Sequence, residues 1–205
     1  MEKILFDQLQ EELYFEKMDN GLSVYILPKK GFNKTYATFT TKYGSIDNHF
    51  KEPGADEYSR VPDGIAHFLE HKLFEKEDGD VFQQFSKQGA AANAFTSFTR
   101  TAYLFSSTTD VEKNLETLVD FVQEPYFSDK SVEKEKGIIE QEIDMTNDRI
   151  DYLIYVKQLE NTLQNNPNRN TTIGDKENIR KITKYKILLR ACKPAVTRLE
   201  GDTDT

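Results

Sequence analysis

The stretch Asp63-Gly64-Ile65-Ala66-His67-Phe68-Leu69-Glu70-His71 is the most informative part of this chain. The chain has only three histidines, and two of them lie in the last five residues of this stretch. In a helix, residues at positions i, i+3 and i+4 share one face. A helix here would therefore bring the side chains of His67, Glu70 and His71 together. Two imidazoles and a carboxylate in one place can hold a zinc ion with a base beside it.

Two interpretations of these three polar residues are open. Their neighbours are apolar, so burying them without partners would carry a large energetic penalty. A bound metal ion would satisfy them, and so would a complete network of hydrogen bonds. The spacing H-x-x-E-H is the inverted form of the usual zinc-protease motif and favours the metal. It makes the chain a candidate metallopeptidase, in which Glu70 is placed to accept a proton from an activated water.

A zinc ion in a hydrolase usually takes three protein ligands, so a third one has to come from elsewhere. Glu142 is the best candidate in the predicted helix 129–147. Ile138 and Ile139 precede it by four and three residues, which predicts that Glu142 lies within an apolar stripe facing the core. Glu135 lies two turns earlier on the same face.

Composition is typical of one globular domain over residues 1–205, with 37% hydrophobic residues and a net charge of -8. This acidity, without a cluster of Lys and Arg, predicts that nucleic acid is not a partner. The single Cys192 permits no internal disulfide, which fits a reducing compartment. We find no apolar targeting segment and no run of transmembrane length, so we expect a cytoplasmic chain without a membrane partner.

The predicted elements are strands first and then mostly helices, which indicates an α+β fold. Strands are expected at 22–28, 35–43, 92–97 and 100–107, with the first two joined as a hairpin. Residues 46–63 are expected to form a loop. Helices are expected at 63–74, 79–88, 110–123, 129–147, 150–164 and 176–190. The buried stripe of the third helix is predicted to consist of Val111, Leu115, Leu118 and Val122.

Small side chains dominate the segment Ala90-Ala91-Ala92-Asn93-Ala94-Phe95-Thr96-Ser97. As an edge strand, this segment could pair with an extended peptide through main-chain hydrogen bonds. As an interior strand, it would pack closely against its neighbours. The residues alone favour neither alternative.

Three motifs in this order resemble the pitrilysin/insulinase-type zinc peptidases, which include the mitochondrial processing peptidases. The motifs are Asp63–His71, the strand Asn93–Ser97 with Thr101 and Tyr103, and the segment Glu135–Glu142. Bacterial processing-peptidase-like members are the most similar, and a weaker similarity continues to about Thr183.

The resemblance implies a role for each residue of the site. His67, His71 and Glu142 would be the ligands of one zinc ion. Glu70 would be the catalytic base, and Glu135 would be a second acidic residue that supports the site from behind.

The resemblance also implies a substrate strand and a fold. A peptide substrate would pair with the edge formed by Asn93, Ala94, Phe95 and Thr96. The fold would be an α+β sandwich of two layers, in which helices pack on one face of a mostly antiparallel sheet.

Family members enclose their peptide with at least one more such domain. The resemblance therefore implies a homologous second domain or subunit, or a homodimer. The segment 190–205 is short and polar, whereas the family usually continues with an aromatic-rich segment and a hydrophobic strand. Two hypotheses follow: a zinc-dependent metalloendopeptidase acting on extended peptides, and a non-catalytic or truncated metal-binding subunit that assembles with a homologous partner.

Overall fold

The computed structural model describes residues 1–51, 56–77 and 79–191, with side chains as far as Ile187. Its strands are β1 (Glu2–Phe6), β2 (Glu11–Lys17), β3 (Ser23–Ile26), β4 (Thr35–Thr41), β5 (His49–Lys51), β6 (Tyr58–Arg60), β7 (Glu75–Lys76), β8 (Gly79–Asp80), β9 (Ala90–Thr96) and β10 (Thr101–Ser107). Its helices are α1 (Ile65–Phe74), α2 (Val81–Lys87), α3 (Val111–Gln123), α4 (Asp129–Asn147), α5 (Ile150–Thr162), α6 (Lys176–Arg180) and α7 (Lys184–Ala191). The predictions about Cys192 and most of the segment 190–205 fall outside the described residues.

The central layer is an antiparallel sheet in the order β4-β10-β9. Side chains alternate across it, and Tyr103 and Phe105 of β10 lie on the buried face. Helices α1, α2 and α3 contact this sheet. The Phe85 ring of α2 lies 5.8 Å from the Phe105 ring, and the Phe121 ring of α3 lies 5.6 Å from the Tyr103 ring. On the opposite face Phe95 is exposed. The predicted α+β fold, with helices against an antiparallel sheet, is confirmed.

The predicted hairpin between 22–28 and 35–43 is wrong. β3 pairs with β2, a strand that the sequence analysis missed, and β4 pairs with β10. The turn after β2 is closed by a hydrogen bond from Met18 N to Leu22 O at 2.8 Å, and Gly21 takes a φ of +84° within it. Positive φ is easy for glycine, so this short turn joins β2 to β3 and the longer link 27–34 only connects two sheets.

Three further predictions about elements need correction, the first at the C-terminal helix. The predicted helix 176–190 is divided into α6 and α7 at residues 181–183. Ile182 and Ile187 are both fully buried. In one continuous helix their directions would differ by about 140°. The break allows both side chains to enter the same core.

The buried stripe of α3 also differs from the prediction. Leu115 is 46% exposed, whereas Asn114 and Thr117 are buried. Both side chains donate hydrogen bonds within the helix, from Asn114 Nδ2 to Asp110 O at 2.9 Å and from Thr117 Oγ1 to Lys113 O at 3.0 Å. Hydrogen bonds of this kind lower the energetic cost of burying polar side chains.

The predicted loop 46–63 contains the short hairpin of β5 and β6.

No helix within the described ranges has the length and apolar character that a membrane span requires.

Helix α1 begins at a close crossing of two backbone segments. Gly64 is its N-cap with φ +85°, and a Cβ added there would lie 2.4 Å from Ile173 O. Gly174 has φ +79°, and a Cβ added there would lie 2.6 Å from Asp63 O. Two glycines therefore allow the segment 173–174 to pass directly against the first turn of α1.

Replacing Gly64 by alanine is expected to lower the free energy of unfolding by about 2 kcal/mol or more. The left-handed conformation strains a residue that has a Cβ by roughly 1–2 kcal/mol, and here the Cβ also meets a backbone oxygen. Gly137→Ala in α4 is the matched control, because an added Cβ there has nothing within 4 Å. That change is expected to raise stability by about 0.5–1 kcal/mol. Urea unfolding followed by circular dichroism measures both, and equal effects would contradict the crossing.

Candidate metal centre

Helix α1 presents His67, Glu70 and His71 on one side, as the spacing predicts. The remaining residues of the helix anchor it in the core, where Phe68 is fully buried and Leu69 is 5% exposed. The side chains of His67 and His71 remain 13% and 26% exposed. Their ring centroids are 4.5 Å apart, and the ring planes are tilted by 59°. The helix therefore holds two imidazoles side by side at the border between core and solvent.

Helix α4 brings Glu142 to these imidazoles. One ligand atom from each of His67, His71 and Glu142 lies within 4.8 Å of the others. The carboxylate spans both rings, with Oε1 at 3.7 Å from His67 Nε2 and Oε2 at 3.5 Å from His71 Nε2. The three predicted ligands thus converge on one point from two helices. Glu142 of α4 follows His71 of α1 by 71 residues in the sequence.

The spacing of these donors fits a tetrahedral zinc ion. Two ligands at about 2.0–2.1 Å from such an ion stand about 3.3–3.4 Å apart. The separations of 3.5 and 3.7 Å, each to a different oxygen of Glu142, are close to that value, and one donor atom of each residue lies within 4.8 Å of the other two. They are longer than the roughly 2.7–3.2 Å of an N–H···O hydrogen bond. Of the two interpretations of the polar stripe, the geometry favours the metal site.

The position of Glu142 on α4 needs one correction. It was predicted to lie within an apolar stripe together with Ile138, yet Ile138 is 42% exposed and the Glu142 side chain is 36% exposed. The buried stripe runs instead through Val132, Glu135, Ile139 and Ile143. Ile138 is turned about 100° away from Ile139 along the helix, which takes it to solvent. Glu142 lies at the edge of the buried stripe, where it can reach both histidines.

Glu135 holds the second nitrogen of His71. Its Oε1 lies 2.9 Å from His71 Nδ1, and its side chain is only 9% exposed. This contact orients the ring so that Nε2 faces Glu142, as carboxylates commonly do for metal-binding histidines. Burial alone would lower the pKa of His71, but the hydrogen bond and charge of Glu135, with the charges of Glu142 and Glu70, raise it.

His67 is in a different electrostatic environment. Burial, followed by the charge of His71, lowers the pKa of His67 to about 3. The ring is therefore neutral at pH 7, and a neutral imidazole offers one ring-nitrogen lone pair to a cation. Its Nδ1 is buried without a hydrogen-bond partner among the described residues. In this respect His67 differs from His71, whose Nδ1 contacts a carboxylate.

Glu70 lies beside the donors rather than among them. It is 8% exposed, and Thr96 Oγ1 donates a hydrogen bond to its Oε2 at 2.5 Å. Burial raises the pKa of Glu70, the contacts with Thr96 and His71 oppose this rise, and the charge of Glu142 adds to it. Thr96 therefore links the candidate base to the end of β9.

The four predicted substrate-binding residues lie on β9, which is an edge strand of the described sheet. Asn93 and Phe95 are exposed, while Ala94 and Thr96 are half-buried on the face toward the helices. Asn93 Oδ1 accepts from the backbone N–H of Ala94 at 2.9 Å. An edge strand is the element to which a further strand can be added. The Asn93 side chain occupies one backbone donor of β9, and the role of β9 in binding a substrate stays a prediction.

The sequence analysis missed the polar contacts that fix the start of α1. Asp63 accepts hydrogen bonds from the side-chain amides of Asn48 and Asn170, the latter at 3.0 Å. These partners are 15 and 107 residues away in the chain. No local pattern indicates contacts over such separations.

Comparison with known proteins identifies the family. The model of the family described as Insulinase (Peptidase family M16) matches residues 57–176, which include all the residues of the candidate site. The chain belongs to the insulinase family of peptidases. The predicted resemblance is confirmed.

Individual relatives support this assignment. The chain is 68% identical over 181 residues to YmfH of Bacillus subtilis, which is named an uncharacterized zinc protease. The matched residues make up 88% of this chain and 42% of YmfH. A crystal structure of an M16-like peptidase from Alicyclobacillus acidocaldarius superposes on this chain with a TM-score of 0.84 at 44% sequence identity. The match covers 88% of this chain and 42% of that peptidase. The beta subunit of the human mitochondrial-processing peptidase is 28% identical over 130 residues, 61% of this chain and 27% of that one. The chain thus spans less than half the length of these insulinase-family relatives.

Replacing Glu135 by glutamine is expected to weaken zinc binding about 10–100-fold, because the partner that orients His71 loses its charge. Glu133→Gln is the matched control on the same helix, since the Glu133 side chain is 70% exposed and contacts Lys136. Competition with a chelator measures both affinities. Equal affinities of the two variants would contradict the role of Glu135.

Proposed function

We propose that this insulinase-family chain is a zinc-dependent metalloendopeptidase domain that hydrolyses peptide bonds of extended peptides. The observation that carries the proposal is the convergence of His67, His71 and Glu142 with the carboxylate of Glu70 beside them. Names of relatives add support, since YmfH is called a zinc protease.

In this proposal His67, His71 and Glu142 hold one zinc ion. Zinc at such a site supplies a Lewis acid that polarises a carbonyl and lowers the pKa of water from 15.7 to about 7. The neutral imidazole of His67 and the His71 ring oriented by Glu135 are suited to bind it. One coordination position stays free of protein ligands, as catalytic sites require.

Glu70 acts as the proton carrier. It takes a proton from the attacking water as the oxygen bonds to the scissile carbonyl carbon, and it passes that proton to the amine nitrogen as the C–N bond breaks. Its burial and its hydrogen bond with Thr96 keep the carboxylate in one orientation. The reaction needs no further co-reactant than water.

The free edge of β9 binds the peptide backbone. Asn93, Ala94, Phe95 and Thr96 lie in a strand with β10 on one side only within the described sheet. A peptide added antiparallel or parallel to this edge makes main-chain hydrogen bonds that do not depend on its sequence. Because Thr96 contacts Glu70, the bound backbone passes close to the base.

Replacing Glu70 by glutamine is expected to retain zinc and to lower the rate of peptide cleavage about 10²–10⁴-fold, the usual contribution of a general base. Glu116→Gln on the exposed side of α3 is the control and is expected to change neither property. Zinc content by mass spectrometry and cleavage of a mixed peptide library measure the two effects separately. A Glu70→Gln chain that cleaves as fast as the wild type would overturn the proposed role.

A second candidate function is a non-catalytic or truncated metal-binding subunit that assembles with a homologous partner. The sheet β1-β2-β3 favours it, because none of the buried residues of the described core belongs to these strands. The strand register places Ile4, Phe6, Leu13, Phe15 and Tyr25 on one face, and each of them is half-buried or exposed. A three-stranded sheet gains its stability by burying such a face. We propose that a polypeptide related to the unmatched part of the family's longer members covers it.

The second candidate predicts association with a polypeptide made from the part of YmfH that this chain does not match. Tyr25→Lys is expected to weaken that association about tenfold or more, because it places a charge on the apolar face. Ile26→Lys is the control on the opposite face of the same strand. Analytical ultracentrifugation measures both complexes. Zinc binding without cleavage, by the isolated chain and also with this polypeptide added, would favour the second candidate over the first, and cleavage on adding the polypeptide would reject the second candidate.

A further inference from the structure

Strand β9 has two faces with different surroundings. Ala94 and Thr96 are half-buried on the face toward the helices, whereas Asn93 and Phe95 are exposed on the other face, which we call the outer face. A peptide that pairs with the edge of β9 alternates in the same way. Its side chains therefore lie in turn on the side of Glu70 and on the outer face. The chemistry of the outer face thus acts on every second side chain of a bound peptide.

The outer face carries a guanidinium group above an aromatic ring. Arg100 Cζ lies 6.0 Å from the centroid of the Phe95 ring, and both side chains are exposed. A ring at this distance attracts the cation and limits the freedom of its long side chain. The planar fork of an arginine can contact a ring with its face and donate hydrogen bonds from its edge. Arg100 is therefore held beside the path of the peptide with donors that a carboxylate can reach.

The backbone that carries Arg100 is fixed by its neighbours. Its carbonyl oxygen accepts hydrogen bonds from Ser97 N at 2.8 Å and from Ser97 Oγ at 3.1 Å, which closes the turn between β9 and β10. The same turn is anchored from a second segment. Ser45 N donates to Ser97 O at 3.0 Å, and Ile46 N donates to Phe98 O at 3.1 Å. A side chain on such a fixed turn loses less freedom on binding than one on a mobile loop.

Positive charge is concentrated at this end of the sheet. Strands β4 and β10 pair as far as Thr41 and Thr101, and the residues next to this pair are Lys42 and Arg100. Neighbouring strands are about 4.8 Å apart, so these two exposed cations lie close together. Within the part of the chain that the structure describes, neither forms an ion pair with a carboxylate. A carboxylate that arrives here is therefore attracted by both.

We propose that the outer face of β9 binds an acidic side chain of the extended peptide and that Arg100 recognises its carboxylate. This inference rests on the proposed function, because the peptide first has to pair with β9. The peptide residue opposite Phe95 has its Cβ about 4.5–5.5 Å from that of Phe95. An Asp or Glu there lies within reach of the guanidinium and can accept two parallel N–H···O bonds. Its chain neighbour passes Thr96, so the acidic residue lies within about two residues of the bond that is cleaved.

The binding test uses the zinc-loaded Glu70→Gln chain, which holds a peptide without cleaving it. The probes are two Ala/Ser peptides with blocked termini and an uncharged fluorophore, one with a central Glu and one with a central Gln. Fluorescence anisotropy is expected to show that the Glu peptide binds about fivefold tighter, the upper range for an exposed ion pair. Equal affinities, tighter binding of the Gln peptide, or binding of neither peptide would overturn the inference.

Salt separates an effect of charge from a difference in shape. Raising the salt concentration from about 0.1 M to 1 M shortens the Debye length from about 10 Å to 3 Å. The preference for the Glu peptide is therefore expected to fall below about twofold. A preference that persists at the higher salt concentration would contradict recognition of the carboxylate by an exposed cation.

Two variants locate the effect. Arg100→Gln in the same background is expected to remove the preference and to leave the affinity of the Gln peptide unchanged, which shows that the edge of β9 is intact. Arg149→Gln is the matched control, because it removes the same charge from an exposed arginine that contacts Asp151 at 2.8 Å. Loss of the preference in both variants, or in neither, would contradict the assignment to Arg100. Equal weakening of both peptides by Arg100→Gln would contradict it as well.

Charge reversal tests the same residue through a gain of binding. Arg100→Glu is expected to bind a peptide with a central Lys about threefold tighter or more than the Gln peptide. It is also expected to bind the Glu peptide more weakly than the Gln peptide, because like charges repel. An unchanged ranking of the three peptides would overturn the inference.

The proposed function fails separately from this inference. It is contradicted if the zinc-loaded wild-type chain cleaves neither peptide, with or without a partner, even when the preference for the Glu peptide is present. Cleavage of the Glu and Gln peptides with equal kcat/KM would overturn the inference and leave the proposed function standing.

Discussion

The contact between α1 and α4 is the interaction on which the candidate centre depends. His71 receives a carboxylate at each ring nitrogen from the same helix, Glu135 at Nδ1 and Glu142 near Nε2. Seven residues of α-helix return to almost the same direction, so one helix can supply both groups two turns apart. Buried Ile139 and Ile143 hold α4 in place beside α1. Displacing α4 would therefore remove both the third ligand and the residue that orients the second.

The strand β9 joins the centre to the surfaces that surround it. Thr96 contacts Glu70, and the strand lies at the edge of the described sheet, where a peptide backbone could be added. The contact with the base and the edge of the sheet thus lie on the same strand. The sheet β1-β2-β3 stands apart from this arrangement, since the described core contains none of its residues. In our account the chain carries the chemistry, and the apolar face of that sheet is a surface for a partner.

Local periodicity and motif spacing predicted the centre better than they predicted the sheets. The H-x-x-E-H spacing places three groups on one face of any helix, and the strands expected at 92–97 and 100–107 are present as β9 and β10. The hairpin of 22–28 with 35–43 failed because β2, with its three glutamates, lacks a clear alternating pattern. The break between α6 and α7 depends on burying both Ile182 and Ile187, which is a property of the whole core. The contact of Asp63 with Asn170 joins residues 107 positions apart, and only the folded chain brings them together.

The central claim is that His67, His71 and Glu142 bind one zinc ion. Zinc K-edge absorption of the zinc-loaded chain tests it most directly, because it reports the atoms that surround the metal. The account predicts a first shell of nitrogen and oxygen at about 2.0–2.2 Å, in four-coordinate geometry and with one zinc per chain. A sulfur contribution at about 2.3 Å, which would bring in Cys192, or a chain that binds no zinc, would contradict it.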